Sequence, residues 1–433
     1  MIELLRATIL HSRANPFRAE GSLGYHEDGG LLIRDGRIAA CGDFAAIRQA
    51  HPEALVEDLR PGYLLPGFID THLHFPQVRI IGGLGHQLLD WLEHHALPEE
   101  ARMADLPHAK RIARAFTRAL AAHGTTTSLV FGAHFAPATA ALFEAAQTAG
   151  LRLASGLVLS DRHLRPELHQ TPEAAYREST QLIRQFHGHG RMFYAVTPRF
   201  ALSTSEAMLE VCQTLMRETA GLRFQSHLNE NTLEISTVAR LFPWATDYFQ
   251  VYERYGLCGP HATLAHNVHP RTAELERLAA SHTSIAHCPC SNAALGSGIF
   301  PVRRHVEAGV HFALGTDVGG GTGFGMPKEA LQASLMQRLT PDGVVLDPEK
   351  LLYLATLAGA EALGLAELTG NFALGKAADL VYLRPPDGSP LALSLELASG
   401  PGRILGALFT QAGPETVRQT RVDGEIIYRA ARP

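Results

Sequence analysis

Residues 66–77 read PGFIDTHLHFPQ: a short apolar run that ends in two histidines, His72 and His74. Side chains two apart on a strand leave the same face. The two imidazoles therefore converge, and if the strand is one stave of a barrel they converge on its interior. Seven further strand-like runs follow: TTTSLVFGA (125–133), LRLASGLVLSD (151–161), MFYAVTPRF (192–200), LRFQSHLNEN (222–231), ATLAHNVH (262–269), SIAHCPCSN (284–292) and HFALGTDVG (311–319). Helical stretches separate most of them, such as AKRIARAFTRALAAHG (109–124) and SEAMLEVCQTLMRETAG (205–221), each closed by a glycine. Eight strands alternating with helices predict an α/β protein with a (β/α)8 TIM-like barrel over 66–369, whose chemistry belongs at the C-terminal strand ends.

Both chain ends read differently. GGLLIRDGRIAACGD (29–43) has the β-branched content and Asp-Gly punctuation of a hairpin, and TVRQTRVDGEIIYRA (416–430) repeats the pattern around Asp423-Gly424. Together they predict a small β-sandwich-like domain formed from residues 1–65 plus 370–433. Residues 386–403, PDGSPLALSLELASGPGR, read as a surface connection.

Composition narrows the function. The chain has 433 residues, 46% hydrophobic and 19% charged, with net charge −5, an ordinary globular balance. No basic face calls for a nucleic acid. No run of 18 apolar residues predicts a membrane span, and the N-terminal MIELLRATILHSRANPF lacks a signal-peptide pattern, so a cytoplasmic enzyme is expected. Five cysteines spread over this length read as reduced thiols, and Cys288-Pro-Cys290 has no second pair to complete a thiolate site.

Four of the predicted strands end in groups that bind metals. His72 and His74 end the first, His227 and Glu230 follow the fifth, His266 ends the sixth and Asp317 follows the eighth. Imidazole and carboxylate suit a divalent ion such as zinc. With 23 histidines in the chain, most are ordinary surface residues, and His287 on the seventh strand reads as packing. Six ionisable groups at four strand ends are a different matter, because burying them unpaired costs several kcal/mol.

The ordered set PGFIDTHLHFPQ, SHLNEN, LAHNVH, HCPCSNAALGSGIFP and LGTDVGGG resembles the amidohydrolase superfamily, and within it the guanine deaminases; PRFALS (198–203) and LGSGIFP (295–301) carry the narrower likeness. The resemblance implies one zinc ion per chain, held by His72, His74, His227 and Asp317. It makes Glu230 the proton shuttle, with Asp317 and His266 serving the attacking water. Gln77, Arg199 and Phe200 match the purine-binding positions, next to His227 and Glu230. It implies hydrolytic deamination of guanine to xanthine and ammonia, in purine catabolism or salvage, by a homodimer. Cys290 stands at a position that varies in such proteins. The superfamily's binuclear members bridge two metals with a lysine. No lysine lies between Lys110 and Lys328, which fits a mononuclear site. Base-editing zinc deaminases of nucleic acids carry H-x-E with paired cysteines, whereas this chain has H-x-x-E, so a free base is the expected substrate. Two alternatives stay open: deamination or dechlorination of another heterocycle (a pterin, a triazine, an adenine-type base), and an inert barrel kept for binding.

Overall fold

The computed structural model describes residues 2–431. The eight runs supply, in chain order, the barrel strands Phe68–His74, Thr125–Phe131, Arg152–Gly156, Met192–Pro198, Arg223–Leu228, Ala262–His266, Ser284–His287 and Phe312–Leu314. Successive strands are parallel. A short extra strand, Val158–Leu159, pairs with the end of the fourth. The ring is drawn shut between the last strand and the first. Asp317 N–H donates to the His72 carbonyl at 2.8 Å and His74 N–H to that of Val318 at 2.7 Å. The Thr71 hydroxyl donates to the Leu314 carbonyl at 2.8 Å. Strands covered on both faces read as continuous apolar runs, and every residue of the first two is buried.

The run YLLPGFIDTHLH divides at Gly67. Leu55–Pro66 belongs to a different sheet and the barrel strand begins at Phe68. A Cβ on Gly67 would lie 2.2 Å from the Thr126 side chain, so only glycine lets the backbone cross here. Farther on, the register slips between Asp70 and Leu73: three steps along the first strand match two along the second. Such a bulge re-aims the residues that follow it, here the ones ending in His72 and His74.

Helices cover the outside. Leu106–Ala122 buries Ile112, Phe116 and Leu120 four apart on one face, and the chain then turns at Gly124, φ +82°. Glu206–Glu218 starts under the Ser205 hydroxyl, which accepts from Met208 N–H at 3.2 Å, and stops at Thr219, short of Gly221.

Strands from both chain ends form one seven-stranded sheet, in the order Glu425–Arg429, Val417–Val422, Leu380–Leu383, Leu55–Pro66, Ile2–Ser12, Leu23–Arg34, Arg37–Asp43. Its two Asp-Gly tips are tight hairpins, with Asp35 and Gly36 at φ 50° and 79° and Asp423 and Gly424 at 49° and 77°. Buried Arg421 reaches Glu3 at 2.8 Å and Glu57 at 2.6 Å, joining C-terminal to N-terminal strands. Arg152 of the third barrel strand meets Asp379, just before the sheet strand Leu380–Leu383, at 3.2 Å.

The stretch 386–403 lies mostly at the surface, with Leu391 and Leu395 buried, but it is helical rather than an irregular connection. It carries the helix Pro390–Glu396 and the start of Pro401–Gln411. Each has proline in its first turn, and Leu391, Leu395, Ile404, Leu405 and Leu408 join the barrel's apolar core. Leucines spaced for a helix outweigh the Pro, Gly and Ser around them.

Candidate active site

Six ionisable side chains meet at the C-terminal mouth of the barrel. The Nε2 atoms of His72 and His74 lie 3.3 Å apart, and Asp317 Oδ1 lies 3.3 Å from the first and 3.4 Å from the second. Ligand atoms of His72, His74 and His227 fall within 4.8 Å of one another, as do those of His72, His266 and Asp317. His227 Nδ1 donates to the Arg199 carbonyl at 2.5 Å, which leaves Nε2 free to face the cluster. Burial holds His72 at about 3 and His227 well below its ordinary value, so both are neutral at pH 7, the form that binds metals. Burial opposes the Asp317 charge, but His72 and His74 beside it keep the carboxyl well below the usual range. The spacing fits a metal: bonds of about 2.1 Å in a tetrahedron put ligand atoms about 3.4 Å apart.

Glu230 and His266 form the wall beside this cluster. His266 Nε2 lies 3.4 Å from Glu230 Oε2 and 3.9 Å from Asp317 Oδ2, and has no hydrogen-bond partner among the described residues. Its Nδ1 is tied to Asn292 Oδ1 at 3.0 Å. Ser297 donates to Glu230 Oε1 at 3.1 Å. Burial, then the Asp317 charge, pushes the Glu230 carboxyl up to about 8, so it can hold a proton at neutral pH. The backbone is strained around these groups. Asn229, His266, Asn267 and Asp317 all have positive φ, at 50°, 74°, 47° and 47°. Such non-glycine residues cost energy and gather at functional sites.

Gln77, Arg199 and Phe200 stand next to the cluster. Gln77 and Arg199 are buried and both donate to one carboxylate, Glu100, at 2.7 Å and 2.9 Å. Phe200 is buried with its ring 6.0 Å from that of His227. A cavity of about 430 Å³ opens beside it, lined by Leu89, Leu92, Leu97, Leu164 and Leu202 among others.

The Amidohydrolase family profile matches residues 63–427, and a bacterial imidazolonepropionase-like composite domain matches 29–54. The chain belongs to the amidohydrolase family. Among similar proteins, a probable guanine deaminase of Deinococcus radiodurans is 54% identical over 99% of both chains. Guanine deaminase of Escherichia coli is 38% identical over 96% of this chain and 94% of its own. A solved structure of the E. coli enzyme superposes with TM-score 0.94 at 36% identity, covering all of both chains.

The structure brings the residues named from the sequence into one neighbourhood at this amidohydrolase mouth, and leaves His287 out. That ring stacks on Phe300 at 4.3 Å. Sequence reasoning missed Glu100, His134, Asn292 and Ser297. His134 follows the second strand directly and is buried 3.5 Å from Glu100, so the strand-end rule that found the others would have found it. Asn292 and Ser297 lie within HCPCSNAALGSGIFP but bear no ionisable group to draw attention. Glu100 follows Glu99 in a short helix, Leu97–Ala101, and nothing in the local pattern separates the two.

Proposed function

We propose that this amidohydrolase hydrolyses guanine to xanthine and ammonia, with one zinc ion held by His72, His74, His227 and Asp317. The observation that carries the reading is the pairing of that donor cluster with a buried amide–guanidinium pair, Gln77 and Arg199, fixed beside it on Glu100. Near-full-length likeness to the guanine deaminases above supports the same substrate. A bound zinc ion supplies a water of near-neutral pKa.

The chain's own groups do the rest. Asp317 accepts a proton from the attacking water, and His266 Nε2 holds that water in line. Glu230 gives a proton to N3 of guanine, which makes C2 electrophilic. The water oxygen bonds to C2, and Glu230, now a carboxylate, takes the proton left on that oxygen and passes it to the amine. C2=O forms as the C2–N bond breaks and ammonia leaves with the electron pair, and the proton on Asp317 returns to Glu230 for the next turnover. Arg199 offers donors to O6, Gln77 offers a donor and an acceptor to the ring edge, and Phe200 packs on the ring. His227 and Glu230 border the substrate as well. The same reading takes residues 66–369 as the catalytic barrel and 1–65 with 370–433 as a composite domain, in a cytoplasmic homodimer. No helix among the described residues is long and apolar enough to cross a membrane.

The test is ammonia and xanthine release from guanine by the zinc-loaded protein, beside Glu230→Gln. Equal amounts of both products are expected from the wild type. The variant should be slower by about 10²–10⁴-fold, the usual share of general acid–base catalysis. No ammonia from guanine with zinc still bound would remove guanine as the substrate.

A further inference from the structure

Glu100 reaches the mouth from outside the barrel strands. It sits on the short helix Leu97–Ala101, in the excursion between the first strand and the second, and is 3% exposed. Its Oε1 accepts from Gln77 Nε2 at 2.7 Å and from Arg199 Nη2 at 2.9 Å, and its Oε2 accepts from Arg199 Nε at 3.3 Å. Gln77 Oε1 in turn accepts from Gly319 N–H at 3.1 Å. Both ends of the Gln77 amide are thus specified, because only one orientation gives the carboxylate a donor and the glycine N–H an acceptor. Arg199 has spent its Nε–Nη2 edge on the carboxylate, so what it presents elsewhere is the Nη1 side of the fork.

We propose that Glu100 is a positioning residue for purine recognition: it holds Gln77 and Arg199 in the one arrangement that turns donors toward an oxygen at the 6-position. The inference rests on the guanine reading above. A 6-oxo purine finds arginine donors facing its carbonyl oxygen. A purine without that oxygen leaves those buried donors unpaired, which is how hydrogen-bonding sites reject close analogues. Glu100 also balances the buried Arg199 charge. The carboxylate stays ionised in that role. Burial works to raise it, but the charge of Arg199, the nearby His134 ring and the Arg199 hydrogen bonds hold it at about 2. A purely structural Glu100 would steady this excursion and the barrel rim with no preference among ligands, so the two roles separate on ligand choice.

The experiment uses the zinc-loaded full chain and Glu100→Gln. It reads KM and kcat for guanine, and the inhibition constant of 2-aminopurine, the same ring without the 6-oxygen. KM for guanine should rise about tenfold or more, with kcat within about threefold, since mainly uniform binding is lost. The 2-aminopurine constant should rise by a clearly smaller factor, because this ligand has only the Gln77 ring-edge contact to lose and never paired with the Arg199 donors that Glu100 orients. Glu100→Asp keeps the charge but withdraws the carboxylate, and should show the same selective rise in smaller measure; it serves if the glutamine variant does not fold. An unchanged KM, or guanine and 2-aminopurine weakened in parallel, overturns the inference. Wild-type protein that does not deaminate guanine overturns the substrate reading instead, and the two failures are told apart by that control.

Discussion

Glu329 is a buried carboxyl outside the catalytic cluster. Its Oε2 accepts the Cys290 N–H at 3.1 Å, and burial raises it from 4.5 to about 8. The folded chain therefore keeps a proton that the unfolded chain releases earlier. That stabilisation is complete below about 4.5 and is lost as pH climbs through about 8. Glu329→Gln keeps an acceptor for Cys290 but removes the titration. Its urea midpoint should exceed that of the wild type above pH 8 and lose the advantage near pH 4.5. Gln77→Ala and Arg199→Ala should each lower kcat/KM for guanine by about 10²-fold or more, with metal content by elemental analysis unchanged. Residues such as His72, His227 and Asp317 were legible because ionisable groups at strand ends are costly without a purpose. Glu100 was not, because its partners lie 23 and 99 positions away and no local period records them.

The helix Thr232–Leu241 shows how an element aims a residue. Asn231 caps it, accepting Leu233 N–H at 2.9 Å, and Glu234 turns back to accept the backbone N–H groups of Glu230 and Asn231, each at 3.2 Å. Tyr248 donates to the other Glu234 oxygen at 2.7 Å. This capping box fixes the backbone that carries Glu230. Glu234→Ala should cost about 1–2 kcal/mol of stability in chemical denaturation, and should lower kcat on guanine more than it raises KM. The Asn-to-Glu spacing was visible in NENTLE, yet its importance lies in Tyr248, which arrives from another helix. The helices at 390–411 were hidden for the opposite reason: proline and glycine at their starts look like breakers when read one residue at a time.

At the scale of the molecule, alternation of strands and helices made the barrel legible, and paired Asp-Gly turns exposed the sheet of the chain ends. The order of that sheet was not legible, since Ile2–Ser12 runs parallel to Leu55–Pro66 and Leu380–Leu383 closes on its far side. Arg421→Ala should cost about 2 kcal/mol, less than a fully buried pair because Glu3 and Glu57 remain partly exposed. Adding chelator to the zinc-loaded protein should lower its melting temperature, by mass action; ligand at a hundred times its dissociation constant is worth about 2.7 kcal/mol. The barrel seam gives that linkage a kinetic side. Asp70 takes the Thr316 N–H across 246 positions of chain, and the backbone bonds beside it run through His72, His74 and Asp317 themselves. Contacts this distant form late, after their loop-closure entropy has been met. A chain emerging from the ribosome carries His72, His74 and His227 long before Phe312–Leu314 arrives, so the complete donor set and the closed ring are born in the same step of folding.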